Sequence, residues 1–193
     1  MDKFLPKDAL WLLGVIWVIF IIDLAIPGFT FNVYGIRPRE MTGLPGILTS
    51  PFLHGNLGHI LSNSISLIGT AMLVRLAVGS KLMRMVMLVG AIGSGAGAWL
   101  FGSAGIVVGA SGMIYALIGF LFAQAVFTPS LRSWLSAVLS LIFFGGTLLS
   151  FFNFMPHISW AGHFWGFVTG IGTAYLFRPR LKKKESLRDS LTK

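Results

Sequence analysis

Ser111 stands in the run Gly109, Ala110, Ser111, Gly112, where a Gly-rich stretch gives way to an apolar run ending near Phe127. A helix starting there sets the hydroxyl beside free backbone N–H groups and the positive end of the helix dipole, where negative charge is favoured. The oxyanion of an attacked carbonyl develops in such a place. A serine that merely caps a membrane helix among small neighbours has the same local pattern, so the motif alone decides nothing. A hydroxyl becomes a nucleophile only with a base within hydrogen-bonding reach, and His163, near the start of the last apolar run, is a candidate. The alternative for His163 is an interfacial histidine bonded to a carbonyl. Tyr115 lies four residues after Ser111 on the same helical face, where it could stack on the imidazole or serve as an ordinary packed aromatic. Asp23 is on the first apolar run, Glu40 in the following loop and the other acids near the termini, so a dyad rather than a triad is expected.

A second polar group opens another apolar run: His54, Gly55, Asn56, Leu57, Gly58, His59, Ile60, Leu61, Ser62, Asn63. His59 and Asn63 are i and i+4 and share a helix face, so their N–H groups could meet an oxyanion prepared by the Ser111 amide. The competing reading is a metal site built from His54, His59 and His163. With no neighbouring carboxylate or thiolate, and no partner to orient the rings, no metal and no cofactor is expected.

The elements that must position these residues are membrane helices. Of 193 residues, 55% are hydrophobic and 11% charged, with a mean hydropathy of +0.82, whereas soluble domains carry about 25% charge. Apolar runs cover about 10–26, 57–74, 82–101, 111–127, 131–152 and 161–177, each long enough to cross a bilayer. They are separated by Arg75, Gly79 and Lys81, by Gly102, Gly105 and Gly109, by Thr128, Pro129 and Arg132, and by residues 153–156. The fold expected is an all-α integral membrane bundle of six transmembrane helices over residues 1–178, followed by a basic, solvated tail at 179–193. The net charge of +9 could suggest nucleic acid, but seven basic residues follow Phe177, which is a membrane-flanking pattern with affinity for anionic lipid. With the N-terminus cytoplasmic, 13 of the 15 Lys and Arg fall on the inner side, only Arg37 and Arg39 lying outside. Both termini are then cytoplasmic, and Ser111 and His163 come to matching depth at the outer ends of the fourth and sixth spans. The long first outer loop, rich in Phe, Tyr, Leu, Pro and Gly, is expected to pack against the bundle or dip into the outer leaflet. Without cysteine there is no disulfide and no thiolate chemistry.

Three motifs together resemble the rhomboid family of intramembrane serine proteases: HGNLGHILSN at 54–63 matches its H-x4-H-x3-N, GASGMIY at 109–115 its G-x-S-G-x-x-Y, and AGHFWG at 161–166 its last-span histidine. The resemblance covers about residues 5–178. It implies a Ser111 nucleophile, a His163 base, an oxyanion hole from the Ser111 backbone with His59 and Asn63, and a supporting role for His54. It also implies hydrolysis of peptide bonds in or beside the transmembrane helices of substrate proteins. One departure is the first loop, which has Gly35, Ile36, Arg37, Pro38 and Arg39 in place of the Trp-Arg pair of some bacterial members. Loop anchoring is expected to differ, with the dyad assignment untouched.

Hydrolysis needs water, so the dyad must face a polar cavity, for which Ser62, Asn63, Ser66, Ser111 and Ser159 are available. Phe151, Phe152 and Phe154 at the end of the fifth span suggest a side gate, or lipid-facing aromatics at the interface. In the sixth span Gly162, Gly166 and Gly170 recur every four residues, a smooth stripe that could seat against Gly112, Ala116, Gly119 and Ala123 of the fourth, with Val168 facing lipid. A catalytically silent protein that binds transmembrane helices is the alternative function, distinguished by loss of Ser111 or His163. A small transporter is disfavoured by the absence of repeats and intramembrane charge relays. The early first span, with no transit-like leader, favours a bacterial cytoplasmic membrane.

Overall fold

The computed structural model describes residues 5–149 and 159–191. Among these residues seven helices follow one another: α1 (Lys7–Ala25), α2 (Gly46–Thr49), α3 (Leu57–Val78), α4 (Ser80–Phe101), α5 (Ser111–Phe127), α6 (Leu131–Leu149) and α7 (Trp160–Leu191). By length and composition α1, α3 and α4 can each cross a membrane, while Ser111–Phe127 and Leu131–Gly146 are shorter apolar helices. Trp11, Val18, Ile65, Leu88, Ile142 and Leu176 are exposed on the outside of the bundle. That apolar outer surface suits lipid.

Helix α5 is the axis of the bundle. Nearly all its side chains are buried, and it packs against α3, α4, α6 and α7. Apolar attraction alone does not hold helices together in lipid, so close backbone approach must contribute. The required gaps are glycines: a Cβ on Gly90 would strike Ala116, on Gly93 Thr169, and on Gly97 Trp165. Through these notches α4 seats both α5 and α7. Helix α1 is peripheral and is tied to α3 where Trp17 Nε1 donates to Ser64 Oγ at 3.1 Å. At its other end Asp8 pairs with Arg84 of α4 at 3.2 Å, so the first turns of α1 and α4 lie at the same end of the bundle.

Helix ends follow local chemistry. Asn56 caps α3 by accepting the His59 N–H at 2.9 Å. Gly79, at φ +90°, both ends α3 and starts α4, a conformation that favours glycine. Helix α7 departs from the sequence expectation, continuing past Phe177 and through Pro179 to Leu191. The reason is visible at Leu181, which is buried in the same apolar cluster as Ala9, Val78 and Met83. Packing there offsets the one backbone hydrogen bond that Pro179 cannot make, so residues just beyond 178 are not a purely solvated tail. Val168, expected to face lipid, is half-buried, while Phe164, Tyr175 and Leu176 are exposed large side chains of α7. The break at 153–156 and the gate residues Phe151, Phe152 and Phe154 lie outside the described residues.

Candidate active site

Ser111 is the first residue of α5, and the residue before it, Ala110, contributes no side-chain cap. The first intrahelical bond runs from the Ile114 N–H to the Ala110 carbonyl. The N–H groups of Ser111, Gly112 and Met113 therefore precede the helical ladder and point along its positive end. The Ser111 hydroxyl is directed at His163, whose Nε2 lies 2.8 Å from Oγ. His163 stands in the first turn of α7, fixed by Ser159. The Ser159 Oγ accepts the Gly162 N–H at 3.2 Å and its carbonyl accepts the His163 N–H at 3.1 Å. The ring of Tyr115 lies 4.4 Å from the imidazole at 23°, a stacked pair that restricts rotation of that ring.

Close contact between α5 and α7 sets that 2.8 Å. A Cβ on Gly166 would run into the Gly112 carbonyl, one on Gly170 into the Ala116 carbonyl, and one on Gly119 into the Phe167 carbonyl. Gly112 itself abuts Ser94 of α4. Gly162, grouped with Gly166 and Gly170 by spacing, turns partly toward α4, with Ala98 Cβ 3.6 Å from where its own Cβ would lie. The helix rotates about 100° per residue rather than 90°, so a four-residue repeat drifts off one contact line.

His59 and Asn63 reach the same place from α3. Gly109 has φ +118°, and a Cβ there would come within 2.6 Å of His59 Nε2 and 3.3 Å of Asn63 Nδ2. Glycine thus admits both side chains to the backbone that leads into Ser111. Behind them lies His54, in the loop before α3. Its Nε2 is 2.8 Å from Asn63 Nδ2, and the two histidine rings are 4.9 Å apart. Burial, then the neighbouring His59, lowers the His54 pKa from 6.5 to about 4, against a small opposing effect of the Phe52 backbone. His54 is therefore neutral at pH 7 and its Nε2 accepts from one Asn63 N–H, leaving the second amide hydrogen without a partner among the described residues. No three His, Cys, Asp or Glu side chains among the described residues are placed to hold a metal ion. Of the serines considered for a polar cavity, Ser62 is exposed, Ser66 is buried and Ser159 is half-buried at the start of α7.

The first loop grips the segment that delivers Ser111, through partners that the sequence did not identify. Ile36 and Val107 exchange two backbone hydrogen bonds, of 2.9 and 2.8 Å, and Gly109 N–H donates to the Ser50 carbonyl at 2.8 Å. Asn32 Nδ2 donates to the His54 carbonyl at 3.3 Å. Anchoring falls to Arg39, whose Nη1 donates to the Gly102 carbonyl at 2.8 Å and the Leu100 carbonyl at 3.3 Å. Its backbone N–H reaches the Trp99 carbonyl at 2.9 Å, and Trp99 Nε1 returns a bond to the Glu40 carbonyl at 2.9 Å. A guanidinium over the last carbonyls of α4 also opposes the negative end of that helix dipole. Arg39 adopts φ +61°, a cost for a non-glycine residue that these bonds offset. The signal was present as an isolated Arg-Pro-Arg in an apolar loop, but its partners are backbone carbonyls some 60 residues away, which no side-chain pattern reveals.

The family profile described as Rhomboid domain matches residues 42–180. An uncharacterized protein of Mycobacterium tuberculosis is 30% identical over 184 residues, covering 91% of this chain and 76% of the relative. An uncharacterized protein of Mycobacterium leprae is 30% identical over 168 residues, 82% of this chain and 66% of the relative. The RHOMBOID-like protein 1 of Arabidopsis thaliana is 30% identical over 142 residues, 69% of this chain and 35% of that longer protein. The match of the Rhomboid domain spans most of the chain and includes the Ser111, His163, His59 and Asn63 segments, and the chain belongs to the rhomboid family.

Proposed function

We propose that this integral membrane protein is an intramembrane serine protease acting on peptide bonds in or next to the transmembrane helices of other membrane proteins. The observation that carries the reading is the 2.8 Å contact between Ser111 Oγ and His163 Nε2. In this mechanism Ser111 Oγ attacks the substrate carbonyl while His163 Nε2 takes the hydroxyl proton. The carbonyl oxygen becomes an oxyanion, met by the Ser111 backbone N–H, the free Asn63 amide hydrogen and the His59 ring. Collapse breaks the C–N bond, and the imidazolium returns its proton to the departing amine. Water then attacks the acyl ester with His163 again as base, releasing the acid and restoring the serine. Tyr115 holds the imidazole plane through both steps, and His54 orients the Asn63 amide. Gly109 and Gly112 keep the approaches open.

The reading places six spans in the bilayer, with both termini at the basic, cytoplasmic side and Ser111 near the opposite face. A bacterial cytoplasmic membrane is the setting it favours. The test is incubation of purified protein in detergent with a single-span reporter substrate, alongside Ser111→Ala and His163→Ala. Each variant should remain folded and lose cleavage, because nucleophile and base fail as a unit, and a fluorophosphonate should label wild type at Ser111. Cleavage by clean Ser111→Ala protein would sink the assignment. Folded wild type that neither cleaves nor labels would instead favour a silent protein that binds transmembrane helices.

A further inference from the structure

Asp23 is the one acidic residue that α1 carries beyond its first turn, and an ionisable side chain on so apolar a helix is costly unless it has a task. The chemistry described above gives it none. It stands in the last turn of α1 and is half-buried. Among the described residues it pairs with no Lys or Arg. Both of its oxygens instead accept from the start of the first loop. Oδ1 takes the Phe31 N–H, and Oδ2 takes the Thr30 hydroxyl at 3.0 Å.

These two bonds begin a relay. Thr30 Oγ1 in turn accepts the Asn32 N–H at 3.2 Å, capping the short helical turn Phe31–Tyr34, and the Asn32 carbonyl accepts the Gly35 N–H at 3.0 Å. Asn32 is thereby held on both sides of its own backbone. Its side chain leaves the turn, with Nδ2 donating to the His54 carbonyl at 3.3 Å, and His54 Nε2 lies 2.8 Å from Asn63 Nδ2. The relay runs unbroken from the end of α1, through the first loop and the segment before α3, to a side chain of α3 itself.

We propose that Asp23 is a positioning residue for the Asn63 amide, acting through the turn at Thr30 and Asn32 and through the His54 backbone; its effect on catalysis rests on the protease reading above. A carboxylate accepts at two oxygens, so this one residue fixes a side chain and a backbone N–H of the turn together. Without it, the Phe31 N–H and the Thr30 hydroxyl lose their acceptors, and the turn that aims Asn32 at His54 is released. The Asn63 amide then loses its alignment but not its place on α3. Removing an oxyanion donor outright costs about 100-fold to 1,000-fold in rate, so a donor misaimed rather than removed should cost about 10-fold.

Asp23→Ala should cleave a single-span reporter with kcat lowered about 10-fold and KM little changed, per molecule counted by the endpoint of fluorophosphonate labelling. Asp23→Asn, which keeps one acceptor oxygen, should recover part of that loss. Asp8→Ala, which removes the other acid of α1 at its opposite end, should match wild type. In Asn63→Ala protein the Asp23→Ala change should cost less than about 2-fold, because the amide it aims is gone. An equal loss in both backgrounds would make Asp23 a general support of the fold and overturn the proposal, as would an unchanged kcat. A second readout needs no cleavage. The chain has four asparagines, so with isotopic labelling of asparagine the Asn63 side-chain amide resonance is assigned by its absence in Asn63→Ala. That resonance should move in Asp23→Ala and in Asn32→Ala but not in Asp8→Ala, and one unmoved in Asp23→Ala would break the relay. Wild type that neither cleaves nor labels, while the resonance still moves, would remove the protease reading and leave the link from Asp23 to Asn63 standing.

Discussion

Replacing Gly166 with alanine perturbs the dyad without touching either member. A Cβ at 166 would lie 3.0 Å from the Gly112 carbonyl carbon and 3.2 Å from its Cα, with the carbonyl oxygen nearer still. Comfortable contacts fall at about 3.5–4.0 Å, and the obstacle is backbone, which no rotamer change can clear. Helix α7 must then retreat from α5 by roughly 1 Å. His163 rides on α7 three residues earlier, so its Nε2 would move from 2.8 Å to about 3.8 Å from Ser111 Oγ, beyond hydrogen-bonding range. A misplacement of about 1 Å costs on the order of 100-fold in rate, and the overpacking itself about 1–3 kcal/mol of stability. Gly166→Ala should therefore cleave a single-span reporter with kcat reduced about 100-fold and KM little changed, and Gly166→Leu should be inactive. Leu176→Phe, on the exposed side of the same helix, should behave as wild type. The assay pairs turnover with the fluorophosphonate labelling rate of the folded fraction, so that lost geometry is separated from lost protein. Folded Gly166→Ala with normal turnover would refute the claim that α5–α7 contact sets the dyad distance.

Asn63→Ala should lower kcat by about 100-fold to 1,000-fold, the usual loss of one oxyanion donor, with sharing by His59 reducing the effect; a raised KM with intact kcat would make Asn63 a substrate-positioning residue. Arg39→Gln should lower the melting temperature and speed amide exchange across residues 30–50, because a charged hydrogen bond contributes about 1.5–3 kcal/mol; unchanged exchange would show that the loop is held by other contacts. His54 has a folded pKa of about 4, below its ordinary 6.5, so the unfolded chain binds the extra proton on acidification. Its contribution to stability is complete above about pH 6.5 and is lost as pH falls through about 4. Thermal melts of His54→Gln should accordingly show a shallower decline over that window than wild type, and parallel curves would remove His54 as a source of acid sensitivity.

What was legible in the sequence is what obeys local rules. Helix positions follow from runs of apolar residues, and the start of α5 at Ser111 follows from the glycines before it, since both signals depend on neighbours within one or two turns. The pairing of Ser111 with His163 and of His59 with Asn63 could be posed from helix periodicity and matching depth. What periodicity could not supply is the third dimension. The four-residue glycine spacing suggested a single stripe on α7, yet Gly162 turns partly toward α4 because the helix repeat is 3.6 rather than 4. The continuation of α7 past Pro179 depends on Leu181 finding the cluster that contains Ala9 and Val78, elements far away in the chain. The first loop is the extreme case, for its anchors are backbone groups. Ser50 O holds Gly109, Ile36 pairs with Val107, and Arg39 binds the last carbonyls of α4. Any residue type carries a carbonyl, so composition is blind to such partners. Their consequence is nonetheless chemical: the loop fixes Val107 and Gly109 on the approach to Ser111, while Asn32 fixes His54 behind Asn63. The loop thus reaches both halves of the site, the proposed nucleophile and the proposed oxyanion donors, from the end of the bundle where Ser111 lies. A change at Arg39 should consequently be felt at both, although Arg39 touches neither.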